Sequence, residues 1–503
     1  MTNGIGNKEF IIMSEKEKQK KDKPKDKPEP PKDQIVETKH KIMINNKEIA
    51  YTIKTGTIVL KKEIDEKEPQ AKASIFFLAY SKDKPSDITK RPITFSFNGG
   101  PGSSSVWLHL GLLGPKIIKV EDNNAKPISP PYKLRDNNYS ILDETDLVFI
   151  DPVSTGYSRA VPGEKSEQFL EFKKDIETVG EFIRLFTTRY KRWTSPKFLI
   201  GESYGTTRAA RLSGYLQDKL GMNLNGLMLI SVVLNFQTIS FLPGNDFPHI
   251  LFLPTWTATA WYHNMLPEDL QQNLENSVKE AREFAMNEYT LALMKGDKLQ
   301  GEERKQIIKK LARLTGLSEK YIERTNLRIN INKFSKELLR EKHRTVGRLD
   351  SRYLGIDSDD SGAEYEFDPA YSVIQGPYTA TFNDYVRNDL NYENDVPYEI
   401  LAPLYEKWKY EKYQNKFVNV AETLREAMSK NNFLKVFVAN GYFDQATPFL
   451  ATEYTLDHLG LDESLRNNIS VSYYEAGHMM YVHEPSLKQM KEDLKRFLHS
   501  AIY

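Results

Sequence analysis

A serine flanked by glycines at the end of an apolar run constrains this chain more than any other feature. The segment consists of residues 198–200, Gly201, Ser203, Gly205 and a helix-like stretch, residues 206–212. This order predicts a strand, a sharp turn at the serine and a helix. A turn of this kind strains the serine backbone, and a Cβ at either glycine would crowd it. The hydroxyl would then lie exposed at the positive end of the helix, unless the serine only caps an ordinary turn.

Length and charge narrow the classes of protein to consider. A chain of 503 residues predicts roughly three domains, or one large core with insertions. Its 70 basic and 69 acidic residues give a net charge of +1, which argues against nucleic-acid binding through phosphate attraction. No apolar run approaches the ~20 residues of a membrane span. The chain has no cysteine, which excludes disulfides, thiolate catalysis and cysteine-bound zinc, and the oligomeric state is left open.

The N-terminal segment is charged and rich in proline. Residues 14–33 alternate lysine with acidic residues and contain no core-forming side chain, so we expect a disordered tail over residues 1–37. A charged binding tail is the alternative. The apolar run at residues 10–13 is too short for the core of a secretory signal. We therefore expect a cytoplasmic protein, with a periplasmic or secreted location as the alternative.

The remaining chain divides into a core interrupted by an insertion. Residues 38–236 open with short antiparallel β-runs and continue with alternating strands and helices, which predicts a mostly parallel sheet. The opening runs include residues 48–53 and 56–60. Residues 237–374 contain charged amphipathic helical stretches and few strand signals, so we expect an inserted helical cap over a site. Residues 375–503 resume the strands and complete the core.

Three polar residues follow the ends of predicted core strands. They are Ser203, Asp444 and His478. A serine hydroxyl needs a base to become a nucleophile, and the base needs a carboxylate to fix its tautomer. This chain order is that of the α/β-hydrolases. We therefore predict an α/β-hydrolase with a mostly parallel mixed sheet, flanking helices and a helical cap. A surface histidine near a turn is the alternative interpretation of His478.

A glycine-rich loop follows another predicted strand. Residues 98–105 read Asn-Gly-Gly-Pro-Gly-Ser-Ser-Ser, and such a loop leaves backbone N–H groups free to approach a ligand. We predict that the N–H groups of Gly100 and Tyr204 form an oxyanion hole. Each donor of this kind is typically worth ~3 kcal/mol to a transition state.

Glu202 places a carboxyl group beside the serine, where its charge would repel an oxyanion. If Glu202 is buried near Asn98, its pKa rises and it stays protonated below neutral pH. The acid and the amide could then both donate hydrogen bonds to the terminal carboxylate of a peptide, favouring C-terminal cleavage at acidic pH. Alternatively, Glu202 caps the helix or pairs with Arg208. The residues alone favour these two interpretations equally.

An acidic loop at residues 357–368 resembles the first half of a calcium-binding loop. Position twelve is Asp368 rather than glutamate, and Pro369 follows at once. We favour a solvated acidic loop over bound calcium and predict no metal site.

Together these motifs resemble the serine carboxypeptidases, closest to their bacterial branch. The similarity extends from about residue 90 to 500 and rests on residues 98–105, 201–205, 440–444 and 477–479. It implies hydrolysis of C-terminal residues from peptides through an acyl-enzyme, and no cofactor. The implied residues are the triad of Ser203, Asp444 and His478, the oxyanion donors Gly100 and Tyr204, and the carboxylate-binding pair Asn98 and Glu202.

The chain also departs from the eukaryotic pattern of that family. Ser96, Ser103 and Leu112 stand where eukaryotic members carry a tryptophan, a cysteine and a second carboxylate-binding glutamate. An esterase or acyltransferase on the same scaffold is therefore an alternative function, and a catalytically silent binding protein is another.

Overall fold

The computed structural model describes residues 31–64, 67–121 and 125–502. Most of the expected tail, residues 1–30, lies outside the described residues. The tail prediction was wrong for residues 34–37, because the first strand begins at Gln34. Glu37 pairs with Lys54 of the next strand, and a salt bridge of 2.8 Å joins the two side chains.

The described residues form fourteen strands, of which ten make a mixed sheet at the centre of the molecule and the pairs β5-β6 and β11-β12 are separate. The strands are β1 (Gln34–Ile44), β2 (Lys47–Ile64), β3 (Lys67–Lys82), β4 (Ile93–Phe97), β5 (Lys116–Ile118), β6 (Leu134–Asp136), β7 (Asp146–Ile150), β8 (Arg159–Ala160), β9 (Lys197–Ser203), β10 (Gly226–Val232), β11 (Thr345–Val346), β12 (Leu354–Gly355), β13 (Lys435–Gly441) and β14 (Ile469–Tyr474). The main sheet has the order β1-β2-β3-β7-β4-β9-β10-β13-β14, and β8 pairs with β3. The pairs up to β3-β7 are antiparallel and those from β7-β4 to β13-β14 are parallel. The predicted α/β-hydrolase fold class is confirmed.

The opening strands are longer than the sequence predicted. Residues 48–53 and 56–60 belong to the single strand β2. Gly56 lies inside this strand, and a Cβ there would stand 1.8 Å from the carbonyl oxygen of Gln34. The glycine therefore permits close approach of β1 and does not end the strand.

Helices cover both faces of the sheet and also make up most of the segment between β10 and β13. They are α1 (Val106–Leu108), α2 (Phe172–Arg189), α3 (Tyr204–Leu220), α4 (Phe247–Leu251), α5 (Leu253–Tyr262), α6 (Glu268–Gln271), α7 (Leu274–Phe284), α8 (Thr290–Lys295), α9 (Gly301–Thr315), α10 (Glu319–Arg324), α11 (Ile331–Glu337), α12 (Pro369–Asn388), α13 (Ala421–Lys430), α14 (Phe449–Asp457), α15 (Glu463–Arg466) and α16 (Glu484–Ser500). Val148 of β7 belongs to the same buried core as residues of α2, α3 and α13, whereas its neighbour Phe149 belongs to the core that contains residues of α12 and α16. The central strands β4, β7 and β10 are buried along their whole length because helices cover both of their faces. In the described part of the chain, none of the helices is long and apolar enough to cross a membrane.

The segment between β10 and β13 contains helices α4 to α12. Helices α4 to α11 share a second core, in which Phe252, Trp256 and Phe334 are buried and to which Phe449 of α14 also belongs. Helix α12 packs instead on the main core through Tyr378 and Phe382. Residue 374, where we placed the end of the cap, lies inside α12. The helix is one packing unit, so the structural boundary falls before Pro369.

Candidate active site

Ser203 occupies the sharp turn between β9 and α3. Its backbone adopts φ 59° and ψ −131°, a strained conformation for a residue with a side chain. A Cβ at Gly201 would stand 2.2 Å from the carbonyl oxygen of Gly205, and one at Gly205 would stand 2.8 Å from that of Phe97. The predicted crowding at both glycines is confirmed. Within the described residues the Ser203 hydroxyl caps no backbone amide of α3, so the capping alternative fails.

Asp444 and His478 meet beyond the ends of β13 and β14. The Nδ1 atom of His478 lies 2.8 Å from Oδ2 of Asp444, and both residues are buried. The backbone N–H of Ala446 and the hydroxyl of Thr447 donate to Asp444, each at 2.7 Å, and hold the carboxylate in place. Burial alone would lower the pKa of His478, but the Asp444 charge and hydrogen bond outweigh it and raise the pKa. A proton on Nδ1 leaves Nε2 free to act as a base.

Ser203 and His478 line one cavity of about 690 Å³. Among the described residues no hydrogen bond joins the serine hydroxyl to the imidazole. In enzymes without substrate such contacts are often long and tighten only when substrate binds. The structure thus brings Ser203 and His478 to one cavity, with Asp444 bonded to the buried side of His478, and their catalytic roles remain a prediction.

A short segment of the chain, residues 348–351, links the loops that carry Asp444 and His478. We call it the strap. On one side, the backbone N–H of Ser351 donates to the carbonyl of Phe443 at 3.0 Å. The N–H of Gln445 donates to the carbonyl of Arg348, also at 3.0 Å. The strap therefore holds the backbone on both sides of Asp444.

On its other side, the strap holds the histidine loop. The backbone N–H of His478 donates to the carbonyl of Leu349 at 2.7 Å. The N–H of Gly477 donates to the Asp350 carboxylate at 3.0 Å, and Arg352 forms a buried ion pair of 2.7 Å with the same carboxylate. A Cβ at Gly477 would stand 2.4 Å from the Asp350 side chain. Sequence analysis missed these contacts, because the strap lies about 100 residues before its partners and carries no motif.

The glycine loop after β4 packs closely against the start of α3. A Cβ at Gly99 would stand 2.6 Å from the backbone nitrogen of Tyr204. Gly100 has φ +103°, a conformation that favours glycine, and it lines the cavity. The loop backbone and the first helical N–H therefore lie next to Ser203, where the predicted oxyanion donors need to be.

Glu202 lies in a buried pocket of hydrogen-bond donors. The side-chain amide of Asn98 donates to its Oε1 at 2.9 Å, and the hydroxyl of Tyr481 donates to Oε2 at 2.6 Å. The backbone N–H of Leu108 donates to Asn98 Oδ1 at 3.1 Å, which fixes the orientation of the amide. Burial raises the pKa of Glu202 to about 7, against the lowering influence of His478 and both hydrogen bonds. Sequence analysis did not identify Tyr481, although it lies only three residues beyond His478.

Arg208, the alternative partner of Glu202, binds other groups. Its guanidinium donates to Asp175 at 2.8 Å and to the carbonyl of Asn98 at 2.6 Å, and the ion pair is buried. The arginine thereby fixes the backbone of the glycine loop. The interpretation of Glu202 as a partner of Arg208 was wrong.

This chain has Leu112 at the position where the eukaryotic pattern has a second carboxylate-binding glutamate. Leu112 is buried in the apolar core with Leu110 and Leu113. Among the residues described, those that line the cavity do not include it. The only carboxyl groups lining the cavity in the described chain are those of Glu202 and Asp368.

The acidic loop is held by contacts with protein groups. The ammonium of Lys336 forms a buried ion pair of 2.5 Å with Asp357 and donates to the carbonyl of Asp359 at 2.6 Å. Asp368 caps α12 by accepting from the N–H of Ala370. Within the described ranges, no group of three or more His, Asp or Glu side chains could hold a metal ion.

Comparison with known proteins adds independent findings. The model of the serine carboxypeptidase family matches residues 64–492. Serine carboxypeptidase-like 34 of Arabidopsis thaliana is 27% identical over 190 residues, covering 34% of each chain. Pheromone-processing carboxypeptidase KEX1 of Saccharomyces cerevisiae is 30% identical over 158 residues, covering 30% of this chain and 20% of the relative. The chain thus spans about a third or less of the length of these curated relatives.

A solved structure shares the fold. The prohormone-processing carboxypeptidase Kex1(delta)p from Saccharomyces cerevisiae aligns with a TM-score of 0.55 and 14% sequence identity. The alignment covers 89% of this chain and 91% of the other. At this identity the likeness concerns the fold alone.

Proposed function

Since the chain belongs to the serine carboxypeptidase family, we propose that it releases C-terminal residues from peptides through an acyl-enzyme intermediate. The observation that carries this proposal is the buried pair of Asn98 and Glu202 beside Ser203. A carboxyl group that is protonated up to about neutral pH can donate a hydrogen bond to a carboxylate. This chemistry suits a peptide with a free C-terminus.

In the proposed reaction, Nε2 of His478 removes the proton of the Ser203 hydroxyl, and the oxygen attacks the carbonyl carbon of the last peptide bond. The N–H groups of Gly100 and Tyr204 donate to the resulting oxyanion. His478 then gives its proton to the leaving amine, while Asp444 stabilises the imidazolium. Water, deprotonated by His478, hydrolyses the acyl-enzyme and regenerates the serine.

The terminal carboxylate of the substrate is the group that the pair of Asn98 and Glu202 would bind. The Asn98 amide has a second N–H besides the one donated to Glu202. Protonated Glu202 supplies a further donor. Binding here would place the last peptide bond next to Ser203, so that cleavage is restricted to the C-terminus.

Matched peptides with free and amidated C-termini test the proposal. Mass spectrometry before and after incubation should show loss of single residues from the free acids and none from the amides. Labelling by a fluorophosphonate probe is measured in parallel, because it reports an active serine independently of peptide cleavage. Equal cleavage of both peptides would favour the esterase or acyltransferase alternative, and absence of labelling would favour a silent binding protein.

We also propose a place in the bacterial branch of the family. Support comes from the absence of cysteine and from Ser96, Ser103 and Leu112 at positions where eukaryotic members differ. A tree of family sequences that groups this chain with plant and yeast members would contradict this placement.

A further inference from the structure

Arg348 of the strap presents a positive charge at the active-site cavity. The residue is exposed and lines the cavity. Its backbone is fixed on both sides, because its N–H donates to Asp368 at 3.1 Å and its carbonyl accepts from Gln445 at 3.0 Å. In the described part of the chain, the guanidinium itself makes no hydrogen bond and no ion pair. An anchored backbone thus carries a cationic group that is available to a ligand.

The charge of Arg348 influences the pKa of His478, Asp368 and Tyr365. The pKa of His478 responds chiefly to burial and to Asp444, and the charge of Arg348 also lowers it. Burial raises the pKa of Asp368, and the charge of Arg348 is the largest influence that opposes this. The pKa of Glu202, by contrast, is influenced by the charges of His478 and Asp444. Arg348 lies on the side of the cavity near His478 and Asp368, because its neighbour Leu349 accepts from the N–H of His478 at 2.7 Å and its own N–H donates to Asp368.

Asp368 is a poor partner for this charge. Its Oδ1 accepts from the N–H groups of Arg348 and Ala370, each at 3.1 Å, and its Oδ2 accepts from the N–H of Leu349 at 3.0 Å. Both carboxylate oxygens are thus occupied by backbone donors. The Glu202 carboxyl is likewise occupied and is neutral up to about pH 7. Within the described residues, the cavity therefore offers a guanidinium that forms no ion pair, beside the base.

We infer that Arg348 binds the side-chain carboxylate of the residue that is released, so that the enzyme prefers peptides ending in glutamate or aspartate. The inference rests on the proposed function. His478 must protonate the leaving amine, so a group close to it on the cavity side faces the leaving residue. The terminal carboxylate of that residue is assigned to Asn98 and Glu202, which leaves its side chain for the arginine. A guanidinium can hold a carboxylate through two parallel hydrogen bonds.

Four blocked dipeptides that differ only in the last residue provide the test. They end in glutamate, glutamine, leucine or lysine, and kcat/KM is measured for each. Glutamate and glutamine have nearly the same shape, so their ratio isolates the charge. We expect the native enzyme to favour glutamate over glutamine by at least about tenfold, the value of one hydrogen bond to a charged group. Arg348→Gln should reduce this ratio to near one and leave the leucine substrate within about threefold.

Arg344→Gln is the matched control. It removes the same charge four residues away, from a side chain that donates to the His343 carbonyl and does not line the cavity. It should preserve the native ratio. Fluorophosphonate labelling of Arg348→Gln at the native rate shows that its active site is assembled. If this variant does not fold, the test uses the native enzyme alone. Its preference for glutamate over glutamine should then fall when salt rises from about 20 mM to about 500 mM.

Three other outcomes would contradict either this inference or the proposed function. A native enzyme that releases leucine and glutamine as fast as glutamate overturns this inference and leaves the proposed function standing. An equal loss on all four substrates in Arg348→Gln also overturns it, because the arginine would then bind the terminal carboxylate. Labelling without release from any substrate overturns the proposed function itself.

Discussion

The side-chain amide of Asn98 donates a hydrogen bond of 2.9 Å to Oε1 of Glu202. The Tyr481 hydroxyl donates to the other oxygen at 2.6 Å, so both oxygens of a buried carboxyl have donors. Even so, burial raises the pKa of this group to about 7. An acid that changes charge near neutral pH thus lies next to Ser203, and the first prediction concerns its titration.

Glu202→Gln should change the alkaline side of the pH profile for peptides. In the native enzyme, the protonated fraction of Glu202 falls as pH rises through about 7, and with it the donor for the terminal carboxylate. Glutamine donates at every pH, so the alkaline fall in kcat/KM should weaken. The acid fall should remain, because His478 must lose its proton to act as a base. A profile identical to the native one would rule out a protonated carboxyl at this site. An ester substrate without a free carboxylate serves as the control.

The same substitution should raise stability above neutral pH. Glu202 has a folded pKa of about 7 against 4.5 for the free group. Between these values the folded state holds a proton that the unfolded state has lost, so the free energy of unfolding falls as pH rises. Glutamine avoids this loss of about 2–3 kcal/mol. Urea unfolding near pH 5 and near pH 8 should show a larger gain from Glu202→Gln at the higher pH. A gain of equal size at both would count against the raised pKa.

Ser203→Ala should abolish fluorophosphonate labelling and lower kcat by about 10⁴–10⁶. The fold should remain, since alanine keeps the Cβ and Ser203 provides no side-chain cap to α3. Far-ultraviolet circular dichroism and thermal unfolding check this. Ser213→Ala on the same helix removes a buried hydroxyl that donates to the Ala210 carbonyl, and it should label normally. Residual labelling of Ser203→Ala would point to a different nucleophile.

Asp444→Asn should lower kcat by about 10⁴, because the amide no longer holds His478 in the productive tautomer. It also removes the carboxylate that raises the pKa of His478. The acid limb of the remaining activity should therefore move to lower pH. The exposed Asp457 is the control position, and Asp457→Asn should leave both rate and pH profile unchanged. An unshifted acid limb in Asp444→Asn would show that the carboxylate does not set the histidine pKa.

Gly201→Ala should destabilise the protein by more than about 3 kcal/mol, because the new methyl group would stand 2.2 Å from the Gly205 carbonyl oxygen. Gly221 ends α3 with φ +61° and has no atom of the described structure within 4 Å of an added Cβ. Gly221→Ala should therefore cost only the backbone strain, about 1 kcal/mol. Chemical denaturation compares the two. Similar losses would mean that the crowding at Gly201 relaxes easily.

The parts of the site that could be predicted from the sequence are those with a local signal. Ser203, Asp444 and His478 each follow the end of an apolar strand within a few residues, and parallel strands bring such ends to one edge of a sheet. Gly201 and Gly205 indicate the sharp turn, because a side chain at either position would crowd the backbone. Ser203 and His478 therefore line one cavity, and Asp444 contacts His478 behind it.

The parts that could not be predicted depend on distant pairing. The ion pair of Arg208 and Asp175, and the bond of Tyr481 to Glu202, join segments with no pattern that links them. The packing of α12 on the main core also lacked a signal, because its apolar residues would suit either core. Such contacts are set by the tertiary fold, and local sequence patterns do not report them.

The strap has a consequence for how this enzyme can diverge. Residues 348–351 fasten the backbones around Asp444 and His478, and their first member offers a charge to the cavity. Under the proposed role of Arg348, substrate preference and catalytic alignment reside in one short stretch. Substitutions that move its backbone in search of new selectivity will also disturb the catalytic groups. Evolution or engineering can replace the Arg348 side chain with little effect on the catalytic groups. Inserting or deleting residues in this stretch would instead lower turnover.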